Sequence, residues 1–156
     1  MLSHTCAVCE CWGADMRRII FVLLGLLVIA RCAPDAHASV QVQVDVGSQT
    51  MAVYVGGQHR HTWRVSTGRR GYTTPGGSYR AKRMEKTWYS TIYDGAPMPH
   101  AVFFKGGYAI HGTYDTKNLG RRASHGCVRL APGNAAQLYN LVSRYGLRNT
   151  RISIHH

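Results

Sequence analysis

Alternating apolar and polar residues near residue 40 are the feature that most restricts how this chain can fold. The alternating positions are Val40, Gln41, Val42, Gln43, Val44, Asp45 and Val46. A period of two predicts a strand with one buried face. A second run over residues 50–55 meets Gly56 and Gly57, which favour a hairpin turn, and a third run covers residues 58–66. Together the three runs predict an antiparallel meander.

The chain beyond residue 67 adds short strands and one helix. Runs of β-branched and aromatic residues predict strands over residues 79–92, 101–104, 108–112, 127–130 and 151–154. One helix is predicted between a cap at Asn134 and a stop at Gly146, with its apolar residues at helical spacing. A hydrophobic content of 45% fits one globular domain. The sequence therefore predicts a single mostly-β domain, a sandwich or an open barrel, with one short helix packed on the sheet.

The first 38 residues include the pattern of a targeting segment. Arg17 and Arg18 precede an uncharged run over residues 19–30, and the segment ends in Ala36-His37-Ala38. The run is too short to span a bilayer, and a small-x-small ending is typical of a cleavage site. We predict a signal peptide over residues 16–38, with an uncleaved membrane anchor as the alternative. Residues 1–15 do not fit a leader and are predicted to be a mis-assigned upstream extension.

Cleavage after Ala38 would leave Cys127 as the single cysteine. The other four cysteines all precede this site, and they are Cys6, Cys9, Cys11 and Cys32. A lone thiol in an oxidising compartment is either buried and inert or retained for chemistry. Chemistry is favoured here, because Cys127 stands among His, Gly and Arg and not in an apolar run.

The charge balance is strongly basic. Nineteen Lys and Arg residues oppose seven Asp and Glu residues, which gives a net charge of +12. Residues 1–38 carry three of each sign, so cleavage leaves the net charge unchanged. Such a surface attracts polyanions, including nucleic acid, anionic lipid and acidic cell-wall polymers. Nucleic acid is disfavoured, because the leader directs export and no recognised nucleic-acid motif is present.

The segment from Ser124 to Arg129 is the best candidate for a reactive centre. Gly126 lets the backbone turn so that neighbouring amide N–H groups can converge on a developing oxyanion. A thiol needs a base or cationic surroundings to become a nucleophile, and His111 is the candidate base. It ends a strand that we expect to pair antiparallel with the Cys127 strand. The alternative is that Cys127 is a small core residue and His111 a structural histidine.

These residues resemble the signature of the L,D-transpeptidase catalytic domain. The signature elements are Ile110-His111-Gly112 and Ser124-His125-Gly126-Cys127-Val128-Arg129-Leu130, with Val65-Ser66-Thr67-Gly68, Thr74-Pro75-Gly76-Gly77 and Met98-Pro99 upstream. The resemblance covers nearly all of residues 40–154. It implies an all-β catalytic domain over residues 39–156 and a peptidoglycan stem peptide as acyl donor. The leader predicts export, which with this resemblance means the periplasm or cell wall of a bacterium, with membrane contact only through the leader.

The resemblance assigns roles residue by residue. Cys127 is the nucleophile, His111 is the proton acceptor and donor, and the backbone carbonyl of Gly112 orients the imidazole. The amides of His125, Gly126 and Cys127 are the implied oxyanion donors, and the His125 side chain either tunes the thiolate or braces the turn. The substrate side is expected to include Ser124, Tyr114 and Arg129. Arg129 either binds a substrate carboxylate or ties the strand.

Three functions remain open from the sequence. The first is a transpeptidase that passes the acyl group to an amine of a second stem or of a wall protein. The second is a hydrolase in which water resolves the same thioester, and the third is a non-catalytic basic wall-binding module. No cofactor and no metal is expected, because His59 and His61 share a strand face without a third ligand nearby. For either enzyme, the resemblance implies that a carbapenem acylates Cys127.

Overall fold

The computed structural model describes residues 39–156, and this part of the chain contains nine strands and one α-helix. The strands are β1 (Val40–Asp45), β2 (Thr50–Val55), β3 (Gln58–Arg64), β4 (Gly77–Arg80), β5 (Arg83–Glu85), β6 (Ala101–Lys105), β7 (Tyr108–Gly112), β8 (Val128–Leu130) and β9 (Thr150–His155). The helix α1 spans Pro132–Tyr145, and single 3-10 turns lie at Thr116–Asn118 and Leu147–Asn149.

The strands form two mixed sheets. The first has the order β3-β2-β1-β9-β4, and the second has the order β5-β6-β7-β8. In each sheet one pair is parallel, β1 with β9 and β7 with β8, and the other pairs are antiparallel. No closed barrel forms within residues 39–156. This confirms the predicted mostly-β class with one helix packed on a sheet.

The predicted meander is present in β1, β2 and β3. The alternating valines of β1 are buried, and Val40 and Val44 have no exposed surface. Gly56 and Gly57 both have positive φ, 58° and 79°, which is the backbone of a type I′ hairpin turn. Glycine adopts this conformation without steric cost, so the turn predicted from the sequence is the turn observed.

The main core lies between the two sheets and the helix. Alternate residues of β1, β2 and β9 face alternate residues of β6, β7 and β8. The helix packs mainly on β7 and buries Ala135, Leu138 and Val142. Buried residues on the opposite face of the second sheet form a smaller outer cluster, which consists of Met98, Ala101, Phe103 and Ala109.

The expected antiparallel pairing of the His111 and Cys127 strands is wrong. Strands β7 and β8 are parallel, with Ile110 opposite Val128. An antiparallel pair needs only a short turn, whereas a parallel pair needs a long connection that returns to the same end of the sheet. Residues 113–127 provide that connection. Its length is the sequence feature that favours a parallel pair.

Two boundaries also differ from the sequence-based expectation. The helix begins at Pro132, so Asn134 lies in the first turn and is not the cap. Proline suits the first helical position, because its missing N–H is not needed there. The predicted strand over residues 79–92 divides into β4 and β5, and Ile92 is 75% exposed in a turn.

The predicted signal peptide and upstream extension lie outside the described residues. Within residues 39–156, no helix combines the length and the apolar character needed to cross a bilayer.

Candidate active site

The register of β7 with β8 brings His111 and Cys127 to one face of the second sheet. Ile110 and Val128 are paired, and both are fully buried in the main core. Successive side chains of a strand point to opposite faces, so His111 and Cys127 point away from that core. Cys127 packs there against the outer cluster.

Both side chains line one cavity of about 600 Å³. Its walls come from three segments, residues 90–98, 111–115 and 125–129. Polar groups reach the cavity from Asp94, His111, Tyr114, Asp115, His125 and Arg129. A concave site with a few converging polar groups beside a thiol is typical of a ligand-binding or catalytic pocket.

The backbone of the next residue holds the His111 imidazole in one orientation. Nδ1 lies 2.7 Å from the carbonyl oxygen of Gly112. A carbonyl only accepts, so Nδ1 donates, and Nε2 of the neutral ring carries no proton. His111 is 6% exposed. Burial lowers the pKa of His111 from 6.5 to about 4, the bond to Gly112 opposes this shift, and the charge of Arg129 adds to it. The ring is therefore neutral near pH 7 and can accept a proton at Nε2.

Cys127 is a protonated thiol in this arrangement. Burial raises the pKa of the Cys127 thiol, and a backbone hydrogen bond from Ala109 and the charge of Arg129 oppose that shift. The thiol donates weakly to the carbonyl oxygen of Gly107 over 3.8 Å. Within the described residues, no hydrogen bond joins Sγ to the His111 ring. Proton transfer to His111 therefore requires Sγ to move from its contact with Gly107.

A buried hydroxyl shapes the turn that carries Cys127. Ser124 has no exposed surface, and its Oγ donates to the carbonyl oxygen of Cys127 over 2.6 Å. The same Oγ accepts the N–H of Gly126 over 3.0 Å. The structure places Ser124 inside the turn, where its Oγ braces the backbone, and Ser124 is not among the residues that line the cavity.

Gly126 is required by both backbone conformation and space. Its φ is 110°, a region that residues with a Cβ rarely adopt. A Cβ at this position would lie 2.6 Å from Cε1 of Tyr108 and 3.2 Å from the carbonyl oxygen of Thr73. Any larger residue would therefore displace the turn that positions Cys127.

Arg129 and Tyr114 both line the cavity. Arg129 lines the cavity, and its Nη1 makes a long contact of 3.4 Å to the carbonyl oxygen of Ala123. Within residues 39–156 the only ion pair joins Arg83 and Glu85, so Arg129 has no carboxylate partner in this part of the chain. Tyr114 is 71% exposed at the rim of the cavity.

Sequence reasoning missed two acidic side chains of the cavity. Asp94 and Asp115 both line it, and Asp115 accepts a hydrogen bond of 2.7 Å from Nδ2 of Asn118. Acidic residues are scarce in this basic chain, and each of these two directly follows a tyrosine, Tyr93 or Tyr114. That scarcity was the signal that could have identified them.

The histidines weighed as metal ligands have other partners. His59 is hydrogen-bonded through Nε2 to Oγ1 of Thr62 over 2.8 Å, and the His61 ring stacks on Trp63. Among residues 39–156, no group of three or more His, Cys, Asp or Glu side chains is arranged to hold a metal ion.

Comparison with known families identifies the family of this domain. The YkuD family model, described as the L,D-transpeptidase catalytic domain, matches residues 39–154. The match includes the helix, every strand except the last residue of β9, and the three segments that form the walls of the cavity. The chain belongs to the L,D-transpeptidase catalytic domain family. The sequence resemblance is therefore confirmed.

Solved L,D-transpeptidases share the fold of this L,D-transpeptidase domain. An L,D-transpeptidase from Mycobacterium smegmatis is 26% identical, with a TM-score of 0.68, and the match covers 76% of this chain and 59% of that one. A second, from Stackebrandtia nassauensis, is 27% identical, with a TM-score of 0.66 and coverage of 76% and 56%.

A curated relative matches over a shorter stretch. It is the putative L,D-transpeptidase in the ATP synthase subunits region (ORF 5) of Fuscovulum blasticum, 44% identical over 43 residues. That stretch is 27% of this chain and 23% of the relative. The chain thus spans less than two thirds of the length of these proteins.

Proposed function

We propose that this L,D-transpeptidase domain acts on peptidoglycan stem peptides through a thioester on Cys127. The observation that carries the proposal is that the single cysteine of residues 39–156 shares a cavity with a buried, neutral imidazole whose Nε2 is free to accept a proton. Family membership supports the proposed substrate class, and the cavity geometry supports the proposed roles of the residues.

Acylation begins with the thiol and the imidazole both neutral. Sγ of Cys127 attacks the carbonyl carbon between the diaminoacid and the terminal D-alanine, while the thiol proton passes to Nε2 of His111. The hydrogen bond from Nδ1 to the carbonyl of Gly112 keeps the ring oriented and stabilises the imidazolium that forms. In this role the carbonyl replaces the carboxylate of a Ser-His-Asp triad.

Two backbone amides are proposed to stabilise the oxyanion. The sequence-based set comprised the amides of His125, Gly126 and Cys127, but the Gly126 N–H already donates to Ser124. The set narrows to the amides of His125 and Cys127. Because they stand at fixed positions in a braced turn, they need little reorganisation when negative charge develops.

The thioester forms when the intermediate expels its leaving group. The C–N bond breaks, and the amine of D-alanine takes the proton from His111. An acceptor amine, from a second stem peptide or a wall protein, then attacks the thioester carbonyl carbon and gives a proton to His111. The C–S bond breaks, and His111 returns the proton to Sγ of Cys127. Arg129 is proposed to bind a substrate carboxylate, because it lines the cavity without an acidic partner in the described residues.

Export is the second part of the proposal. We infer that the protein acts in the periplasm or cell wall after a signal peptide over residues 16–38 is removed. The charge and apolar pattern of that segment supports this, and the family match begins at residue 39, directly after the proposed cleavage site.

Incubation of residues 39–156 with purified tetrapeptide-containing muropeptides, followed by mass spectrometry, tests the proposed reaction. We expect release of D-alanine and a product joined to an added amine. The Cys127→Ala variant, which changes little volume, is expected to fold normally and to form no product.

Three outcomes would change the account. Release of D-alanine with only the free tripeptide as product would identify a hydrolase. Equal turnover by the parent and by Cys127→Ala would remove Cys127 as nucleophile, and binding of muropeptides without turnover would favour a wall-binding module.

A further inference from the structure

Two segments far from His125 in the sequence, residues 69–72 and the loop that contains Tyr93, meet on its side chain. Arg69 lies 56 residues earlier in the chain, and its Nη2 is 2.8 Å from Nε2 of His125. The ring of Tyr93 stacks on the imidazole, with centroids 4.2 Å apart and an interplanar angle of 14°. Tyr72 meets the same ring edge-on at 4.6 Å, and the Arg69 guanidinium lies 4.9 Å from the Tyr72 ring centroid.

The contact with Arg69 fixes which nitrogen of His125 carries the proton. A guanidinium stays protonated in proteins and has donors but no acceptor. Nε2 of His125 must therefore accept, so the ring is neutral with its proton on Nδ1. A protonated His125 would present an N–H to the Arg69 N–H, and the hydrogen bond would be replaced by repulsion between two cations.

We propose that Arg69 is a positioning residue, which holds the His125 imidazole as the Nδ1–H tautomer flat against Tyr93 and so fixes the cavity wall beside Cys127. The inference rests on the proposed function only in that this wall receives the acyl donor. Tyr93 belongs to the loop over residues 90–98, and His125 belongs to the turn that carries Cys127. The imidazole therefore links two walls of the cavity.

The 90–98 loop has its own internal bonds, and it meets the turn that carries Cys127 through the Tyr93–His125 stack and through the cluster of Met98 against which Cys127 packs. Oγ of Ser90 accepts the N–H groups of Ile92 and Tyr93, at 3.3 and 3.0 Å, and the N–H of Ala96 donates to the Tyr93 carbonyl at 2.8 Å. These bonds shape the tip of the loop. The Tyr93–His125 stack joins this tip to the turn that carries Cys127, and Arg69 contacts the same imidazole from the other segment.

The groups around His125 make the contact sensitive to protonation. The charged and titratable side chains that face it are Arg69, Arg129, Tyr72 and Tyr93. Burial lowers the pKa of His125, and the charges of Arg69 and then Arg129 lower it further. The neutral ring, and with it the hydrogen bond from Arg69, is present above the ordinary histidine pKa and is lost as the pH falls through the lowered value.

Nitrogen NMR of histidine-labelled protein, residues 39–156, tests the inference without any enzymatic activity. A spectrum of His125→Gln identifies the His125 signals. In the parent at pH 7 we expect an unprotonated Nε2 and a protonated Nδ1. In Arg69→Met we expect a mixture of tautomers and a higher His125 pKa, since one nearby cation is gone. Arg69→Lys, which keeps the charge, should retain most of the pKa effect, and Arg70→Met is the matched control from the same exposed loop.

Acylation kinetics give the functional readout. The measurement is the second-order rate at which a carbapenem acylates Cys127. Because Arg69→Met loses one charge-assisted hydrogen bond, we expect this rate to fall by roughly tenfold, with partial recovery in Arg69→Lys. The inference is overturned if the parent carries its proton on Nε2 at pH 7, or if Arg69→Met leaves the tautomer and pKa of His125 unchanged. It is also overturned if Arg70→Met alters both as strongly. A parent that is never acylated would contradict the proposed function, while the NMR result would still decide the role of Arg69.

Discussion

At the scale of single residues, burial keeps both catalytic candidates uncharged. Desolvation raises the pKa of Cys127 and lowers the pKa of His111 to about 4. A resting thiolate–imidazolium pair would need the opposite shifts. The free enzyme therefore resembles a serine hydrolase, in which the nucleophile is deprotonated during attack, more than a cysteine protease with a preformed ion pair.

Alkylation of Cys127 by iodoacetamide tests this assignment. Because only the thiolate reacts, we expect the rate to be low near pH 7 and to rise with pH through an apparent pKa above that of an ordinary thiol. The measurement is the alkylation rate between pH 5 and 10, followed by intact mass. A plateau of fast alkylation already reached at pH 6 would show a stable thiolate and contradict the assignment.

At the scale of elements, α1 supports the strand that carries His111. The helix packs on β7, and Leu138 is 1% exposed in the core between them. We expect Leu138→Ala to lower the free energy of unfolding by about 3 kcal/mol, because it leaves a cavity under β7. Denaturant unfolding provides the measurement. Leu141→Ala is the matched control on the same helix, where the side chain is half-buried, and its loss should be about 1 kcal/mol.

A loss in Leu141→Ala as large as that in Leu138→Ala would mean that the helix is packed differently. Reaction of Cys127 in both folded variants should stay close to that of the parent, since neither side chain reaches the cavity.

Local pattern determined which elements could be predicted from the sequence. The alternation in β1 and the Gly56-Gly57 turn each depend only on neighbouring residues, so both can be predicted from the sequence, and both predictions are confirmed. The parallel pairing of β7 with β8 depends on how a long connection returns across the sheet, and no residue within either strand encodes that direction. The division of residues 79–92 into two strands was likewise decided by pairing with β9 and β6.

In the candidate site, too, local features can be predicted from the sequence and contacts between distant residues cannot. Cys127 and His111 can be predicted as candidates because a lone thiol beside His and Gly is chemically unusual, and the register of β7 with β8 explains why the two share a cavity. The partner of His125 could not be found in this way, because Arg69 is distant in sequence and reaches His125 only after the strands pair. Burial of Ser124 was equally invisible, since serine is as common in exposed turns as in buried ones.

At the scale of the whole molecule, His111 links stability to pH. Below about pH 6.5 the unfolded chain binds a proton at residue 111, and the folded chain does so only near pH 4. The folded state is therefore fully favoured by this residue above pH 6.5, and the contribution is lost as the pH falls toward 4. Between these two pH values, the contribution of His111 to the free energy of unfolding falls by about 3 kcal/mol.

Denaturant unfolding at pH 7 and at pH 4.5 measures this effect. We expect His111→Gln to lose less stability between the two pH values than the parent, and the exposed His155→Gln to behave like the parent. An identical loss in His111→Gln and in the parent would show that His111 is not held neutral. The positive charge of +12 destabilises all three proteins alike at low pH, so it cancels in the comparison.

The central claim is that Cys127 forms a covalent acyl-enzyme, and intact-mass spectrometry of residues 39–156 with a carbapenem tests it most directly. The strained amide of the drug stands in for the stem-peptide bond, and the amides of His125 and Cys127 would hold the oxyanion of the opened ring. The account predicts a mass increase of one drug molecule per protein, located by digestion on the peptide that contains Cys127 and missing in Cys127→Ala. A folded parent that gains no mass under excess carbapenem, or gains it equally in Cys127→Ala, would contradict the account.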